Sequence, residues 1–265
     1  MSELSGLRAL VTGGSSGIGA AIARELAARG CDLVLTARRK EALSEVAASC
    51  TGVRVDTVVG DLGKDASASA IWAACTAQGP IDILINNAGF GAFRAFAATE
   101  ATRDTEMIQL NMTSLVELTK LYLDQQRPRG YIVNIASIGA YQSVPNMALY
   151  AATKAFVRNF SEGLHVELRG TGIACTCVCP GGTKTAFHEN AGAGDYSWLA
   201  NASMMTAEAV ARTTVKAMLA KKRNVIPGLI NKLSCFGVRF VPRSVASWMS
   251  QRVLGKPKLA LPSRT

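Results

Sequence analysis

Short apolar runs alternate with longer stretches of helical periodicity through most of this chain. "LRALVTG" (7–13), "DLVLTA" (32–37), "VRVDTVVG" (53–60), "IDILINN" (81–87), "GYIVNIAS" (130–137) and "IACTCVCP" (173–180) read as short buried strands. Helical patterns fill the intervals at 17–30, 40–50, 64–78, 102–126 and 148–169. Strands that are apolar throughout, rather than alternating, are covered on both faces. This order predicts an α/β fold, a doubly wound parallel sheet flanked by helices on both faces. Gly30, Gly79–Pro80, Arg129–Gly130 and Gly170–Gly172 read as helix stops. One domain is expected over 1–225. Residues 226–265 read as a C-terminal basic helical extension, amphipathic, packed on that domain or on a partner subunit.

Composition adds three constraints. Apolar residues make up 49% of 265 and aromatics only 6%, so the core is built mainly of Ala, Val, Leu and Ile. The opening "MSELSGLRALVTGG" lacks a charged region followed by a long apolar one, so no signal peptide is read and a cytoplasmic protein is expected. Seven cysteines without framework spacing then read as reduced thiols. The net charge of +10 is unevenly placed. After Glu208 there are 12 Lys+Arg and no acid, whereas the preceding part carries 17 against 19 acids. The basic character belongs to the C-terminal end alone.

The first strand runs into "TGGSSGIG" (12–19) and then directly into a helix. Glycines let the backbone turn tightly and approach a ligand. A helix N-terminus offers free N–H groups and partial positive charge to a phosphate. Placed between strand and helix, the turn points to a dinucleotide site. The second strand ends "TARRK" (36–40) with no carboxylate to take a ribose diol. Arg38 and Arg39 can instead hold a 2′-phosphate, which favours NADP (NADPH) over NAD.

"YAATK" (150–154) sets a phenol and an ammonium at i and i+4, on one helix face. A tyrosine alone titrates near ~10. A neighbouring cation favours the phenolate and makes the group usable near neutral pH. The same spacing also occurs where a surface tyrosine simply packs on a lysine stem.

The whole pattern resembles the short-chain dehydrogenases/reductases over roughly residues 5–225. The resemblance rests on "TGGSSGIG" (12–19), Asp61, "NNAG" (86–89), Asn111, Ser137, "YAATK" (150–154) and "PGGTKT" (180–185), in family order. It implies a Rossmann-like fold and an NADP-dependent oxidoreductase that interconverts a ketone and a secondary alcohol. By resemblance, Tyr150 is the acid/base, Lys154 the cation that lowers its pKa, Ser137 a donor to the substrate carbonyl, and Asn111 a water-holding link to Lys154. The resemblance assigns Gly13, Ser15, Ser16, Gly17, Ile18, Gly19, Arg38, Arg39, Asp61, Leu62, Asn87, Ala88, Gly89, Pro180, Gly181, Thr183 and Thr185 to the cofactor, together with Tyr150 and Lys154. By resemblance Asp61 accepts a hydrogen bond from the adenine amino group; its alternative reading is an N-cap for the helix at 64–78. The family is often dimeric or tetrameric, so a homodimer or homotetramer is expected. A descendant that binds NADP without turnover, as a sensor or membrane-surface scaffold, tends to lose Ser, Tyr or Lys; this chain keeps all three.

The substrate end is expected to be lined by Phe90, Gly91, Phe93, Gly139 to Tyr141 and a lid over Ala186–Ser203, which suits an apolar ketone or alcohol. Cys175, Cys177 and Cys179 alternate along one strand, spacing that fits buried thiols better than zinc. His165 and His188 have no partner spacing for a metal or a triad, and no metal is expected. No motif for nucleic acid is present. For the basic C-terminal segment, docking on the body or a second subunit is favoured over peripheral membrane contact.

Overall fold

The structure, a computed structural model, describes residues 3–183 and 203–254. Seven strands form one parallel sheet in the order β3-β2-β1-β4-β5-β6-β7. They are β1 (Arg8–Thr12), β2 (Asp32–Ala37), β3 (Val55–Val59), β4 (Ile83–Asn86), β5 (Gly130–Ile135), β6 (Ile173–Val178) and β7 (Asn224–Val225). Helices intervene as α1 (Gly17–Ala27), α2 (Lys40–Ser49), α3 (Ser67–Thr76), α4 (Ala101–Ile108), α5 (Ser114–Asp124), α6 (Ala148–Glu167), α7 (Ala207–Leu219), α8 (Leu229–Gly237) and α9 (Arg243–Leu254).

The period of two within each strand explains both apolar faces. Ala9, Val11, Leu33, Leu35, Ile83, Ile85 and Val133 pack with α1 and α7 side chains such as Ile22, Leu26, Val215 and Met218. Leu10, Val34, Leu84 and Ile132 face the other way, onto Ile71, Trp72, Leu118, Tyr122 and Leu164 from α3, α5 and α6. Strand order reverses between β1 and β4, and in open parallel sheets ligands bind beyond the carboxyl ends at that point. The opposite end is locked by charge. Buried Arg8 donates to the Cys75 and Gly79 carbonyls and pairs with Asp56 at 2.9 Å. Asp82 accepts from the Arg8 amide and from Arg127.

Three readings are corrected. The helix expected at 102–126 is two α-helices joined by a π-helical turn at Gln109–Thr113. Asp61 does not cap the following helix; its Oδ1 accepts from the Gly63 amide at 3.0 Å, and α3 starts at Ser67 after Ala66 in the left-handed region. Gly130 is the first residue of β5, not a helix stop, since the preceding helix has already ended at Asp124.

Candidate active site

The glycine turn begins where Thr12 closes β1. Thr12 Oγ1 accepts from the amides of Asn87 and Ala88, both at 3.0 Å, and donates to the Ile85 carbonyl. Asn87 Nδ2 donates back to the carbonyls of Thr12 and Gly13. The turns after β1 and β4 are thereby clamped together at the switch point. Gly13 has φ +65°. A Cβ on Gly19 would lie 2.3 Å from the Gly13 oxygen and 2.4 Å from Asn87 Nδ2, so only hydrogen fits there.

Ser15 is partly exposed and Ser16 exposed. Ser16 makes no capping bond with its side chain, and the first turn of α1, containing Gly17 and Ile18, carries no acid. Its orphan N–H groups and dipole are therefore uncompensated by the protein, as an anion site requires. Arg38 and Arg39 follow β2 and are exposed. Asp61 and Leu62 follow β3, and the Leu62 carbonyl is fixed by Ser114 Oγ at 2.6 Å. The chain can thus form a cradle for a dinucleotide with a cationic end.

The second half of the site forms around α6. Lys154 is 5% exposed, and its Nζ donates to the Ile135 carbonyl at 2.8 Å. The ammonium lies 5.8 Å from the Tyr150 ring centroid. Among the described residues no carboxylate pairs with it. Gly89 is where the turn after β4 meets it. A Cβ there would sit 2.9 Å from Asn111 Oδ1 and 3.3 Å from Lys154 Nζ. Asn111, in the π turn, is buried; its Oδ1 accepts from the Phe90 amide, while Nδ2 donates to the Phe90 carbonyl and to Thr153 Oγ1. Thr153 Oγ1 donates in turn to the Tyr150 carbonyl at 2.8 Å.

Ser137 follows β5 and caps a short 3-10 turn (Ile138–Tyr141), its Oγ accepting from the Gly139 amide at 3.1 Å. The Pro180 carbonyl, beyond β6, accepts from the Ile138 amide at 2.9 Å. This bond brings the "PGG" loop beside Ser137. Thr183 Oγ1 donates to the Gly181 carbonyl. Buried Asn231 of α8 fills the space beside Gly181. Thr12, Ser114, Thr153 and Asn231 are positioning residues the sequence reading missed. Thr12, at the head of the glycine turn, and Thr153, within "YAATK", lay inside motifs; Ser114 and Asn231 had none to flag them.

Thr185 and all of the expected lid over Ala186–Ser203 except Ser203 lie outside the described residues, as does His188. Phe93 is 2% exposed and belongs to the packed interior, not to an open lining. Tyr141 is tied by its hydroxyl to Asn224 and stacked under Arg158. Cys175, Cys177 and Cys179 are buried free thiols, and Cys177 Sγ lies 3.7 Å from Cys179 Sγ. Among the described residues no three His, Cys, Asp or Glu side chains are grouped to hold a metal.

Burial lowers the Lys154 ammonium from 10.5 to about 8, with Cys177 and Cys179 opposing only in part. A fall of that size costs about 3 kcal/mol below pH 8, and the cost fades as pH rises toward 10.5. Lys154→Met loses one hydrogen bond to Ile135, worth about 1 kcal/mol. The cofactor-free variant is therefore expected to be about 1–2 kcal/mol more stable than the parent at pH 7. Its advantage should vanish by pH 10 to 11. Urea midpoints of both proteins across that range check this, and the comparison cancels the alkaline loss they share through buried thiols. A variant less stable at pH 7 would show that Lys154 is a structural anchor.

The family model described as short chain dehydrogenase matches residues 8–196. An uncharacterized oxidoreductase of Myxococcus xanthus is 36% identical over 190 residues, 70% of this chain and 75% of its own. A very-long-chain 3-oxoacyl-CoA reductase of Anas platyrhynchos is 37% identical over 185 residues, 66% of this chain and 59% of its own. Among solved structures, a short-chain dehydrogenase from Sphingobium yanoikuyae in complex with NADPH superposes with a TM-score of 0.78 at 33% identity, covering 88% of this chain and 94% of that one. With the clamped glycine turn, the seven-stranded order and these matches in hand, the chain belongs to the short-chain dehydrogenase family.

Proposed function

We propose that this protein is an NADPH-dependent reductase that converts an apolar ketone to a secondary alcohol. The observation that carries the reading is the buried ammonium of Lys154 beside Tyr150, with no carboxylate partner among the described residues, at the carboxyl edge of the sheet. A buried charge without a counterion is costly, and a working acid/base needs that cation. NADPH, when bound, supplies the hydride. The glycine turn and the first turn of α1 hold its phosphates, and Arg38 with Arg39 hold the 2′-phosphate. Asp61 and Leu62 border the adenine side, and Asn87 to Gly89 with Pro180 to Thr183 border the nicotinamide side. Ser137 donates to the substrate carbonyl and steadies the developing oxyanion. Tyr150 gives that oxygen its proton, and Lys154 supports the charge left behind. Asn111 and Thr153 hold the backbone on either side of this pair. NADPH in the related Sphingobium structure supports the cofactor choice, and the oxoacyl reductase of Anas supports the direction and an apolar chain.

Fluorescence titration with NADPH and NADH tests the reading. NADPH is expected to bind at least tenfold tighter, about 1.4 kcal/mol. Arg38→Ala should erase most of that difference without weakening NADH. Equal loss for both cofactors would remove the 2′-phosphate role of Arg38.

A further inference from the structure

The last two helices are turned inside out. α8 buries Asn231 and Cys235 and presents Leu229, Leu233, Phe236 and, one turn on, Phe240 to solvent. These positions are four, three and four residues apart, so they form one stripe. Leu229 and Phe240 are 72% and 73% exposed. α9 does the same: Ala246 and Ser250 face the body, while Val245, Trp248 and Met249 face out. The inner faces are anchored. Ser250 Oγ donates to the Ser143 carbonyl, Ser143 and Ser247 are hydrogen-bonded, and Asn231 packs against Gly181. Helices free to choose would bury leucine and phenylalanine and expose serine and asparagine. Here small and polar residues dock, and the large apolar side chains are left for something else.

The charge around the stripe identifies the occupant. Lys232, Arg243 and Arg252 on the two helices, and Arg239 in the turn between them, are all exposed, with Arg252 over the Trp248 ring at 4.4 Å. There is no acid after Glu208 to the end of the chain. A second copy placed face to face would bring like charges together. An anionic lipid surface meets both features at once, taking apolar side chains into its interface and basic ones among its headgroups. Among the described residues no helix is long and apolar enough to cross a membrane, so the fitting geometry is one that lies on the surface.

We propose that the outward faces of α8 and α9 dock this protein on an anionic lipid bilayer. The inference stands apart from the reaction proposed above. The full-length protein should co-sediment with vesicles of phosphatidylcholine and phosphatidylglycerol, bind phosphatidylcholine alone far less, and be released by salt. Brominated acyl chains should quench Trp248, seen as the difference from Trp248→Phe. The double variant Leu233→Glu/Trp248→Glu changes exposed positions only. It should keep its thermal midpoint and NADPH affinity while losing vesicle affinity at least tenfold. Absence of vesicle binding by the parent protein would overturn the proposal, as would equal binding by parent and double variant. A concentration-dependent dimer abolished by the same substitutions, without vesicle binding, would assign the face to a second copy and overturn it equally.

Discussion

Tyr150→Phe is expected to cut turnover by about 10²- to 10⁴-fold, the usual contribution of a positioned acid or base. The substitution removes one oxygen and its proton and leaves the ring. The phenol stands at the first full turn of α6, where the Tyr150 carbonyl is already held by Thr153. The Lys154 ammonium lies 5.8 Å from the ring centroid. No backbone has to move, so NADPH should bind within severalfold of the parent; one lost hydrogen bond is worth about 1 kcal/mol. Single-turnover oxidation of bound NADPH with a panel of apolar ketones, beside an NADPH titration, separates the two effects. Turnover equal to the parent's would mean that another group supplies the proton, and the chemistry would then have to be rebuilt around Ser137.

Much of this was legible in the chain because a parallel sheet buried on both faces writes itself as unbroken apolar runs. Each of the six strands read from the sequence contains an observed strand, β1 to β6, within a residue or two at the ends, whereas the two-residue β7 went unread. The candidate site residues stood out as motifs; the glycine turn, Asp61, Asn87 and Ser137 follow strand ends, whereas Asn111, Tyr150 and Lys154 lie on helical segments. What failed to show depended on tertiary partners. The π turn at 109–113 is held in place by Asn111 bonding to Phe90 and Thr153, and residue periodicity does not register one extra residue in a turn. Asp61 had capping chemistry, but its oxygen went to Gly63 two residues on, a local bond that competes with capping. In α8 and α9, periodicity revealed an apolar stripe and could not tell which side faced inward. That choice was made by Asn231 beside Gly181 and by Ser250 on Ser143.

Gly19→Ala should both destabilise the fold and abolish useful NADPH binding. The new methyl would lie 2.3 Å from the Gly13 oxygen and 2.4 Å from Asn87 Nδ2. Neither neighbour can yield cheaply. Gly13 is in the left-handed region at the switch point, and Asn87 is bound to the carbonyls of both Thr12 and Gly13. Relief would open the clamp between the turns after β1 and β4 and tilt the first turn of α1, which are the parts proposed to hold the phosphates. Alanine's better helix propensity returns about 1 kcal/mol, less than overpacking of this kind costs, about 3 kcal/mol. The net expectation is a loss of roughly 2 kcal/mol and at least a hundredfold weaker NADPH binding, about 2.7 kcal/mol. Gly163→Ala is the matched control. Gly163 is exposed within α6 with nothing within 4 Å of a new Cβ. It should gain about 0.5–1 kcal/mol and bind NADPH as the parent does. Denaturant midpoints and NADPH titrations on the pair decide the matter. If Gly19→Ala kept the parent's affinity and midpoint, the tight cradle at the switch point would not be where the dinucleotide binds.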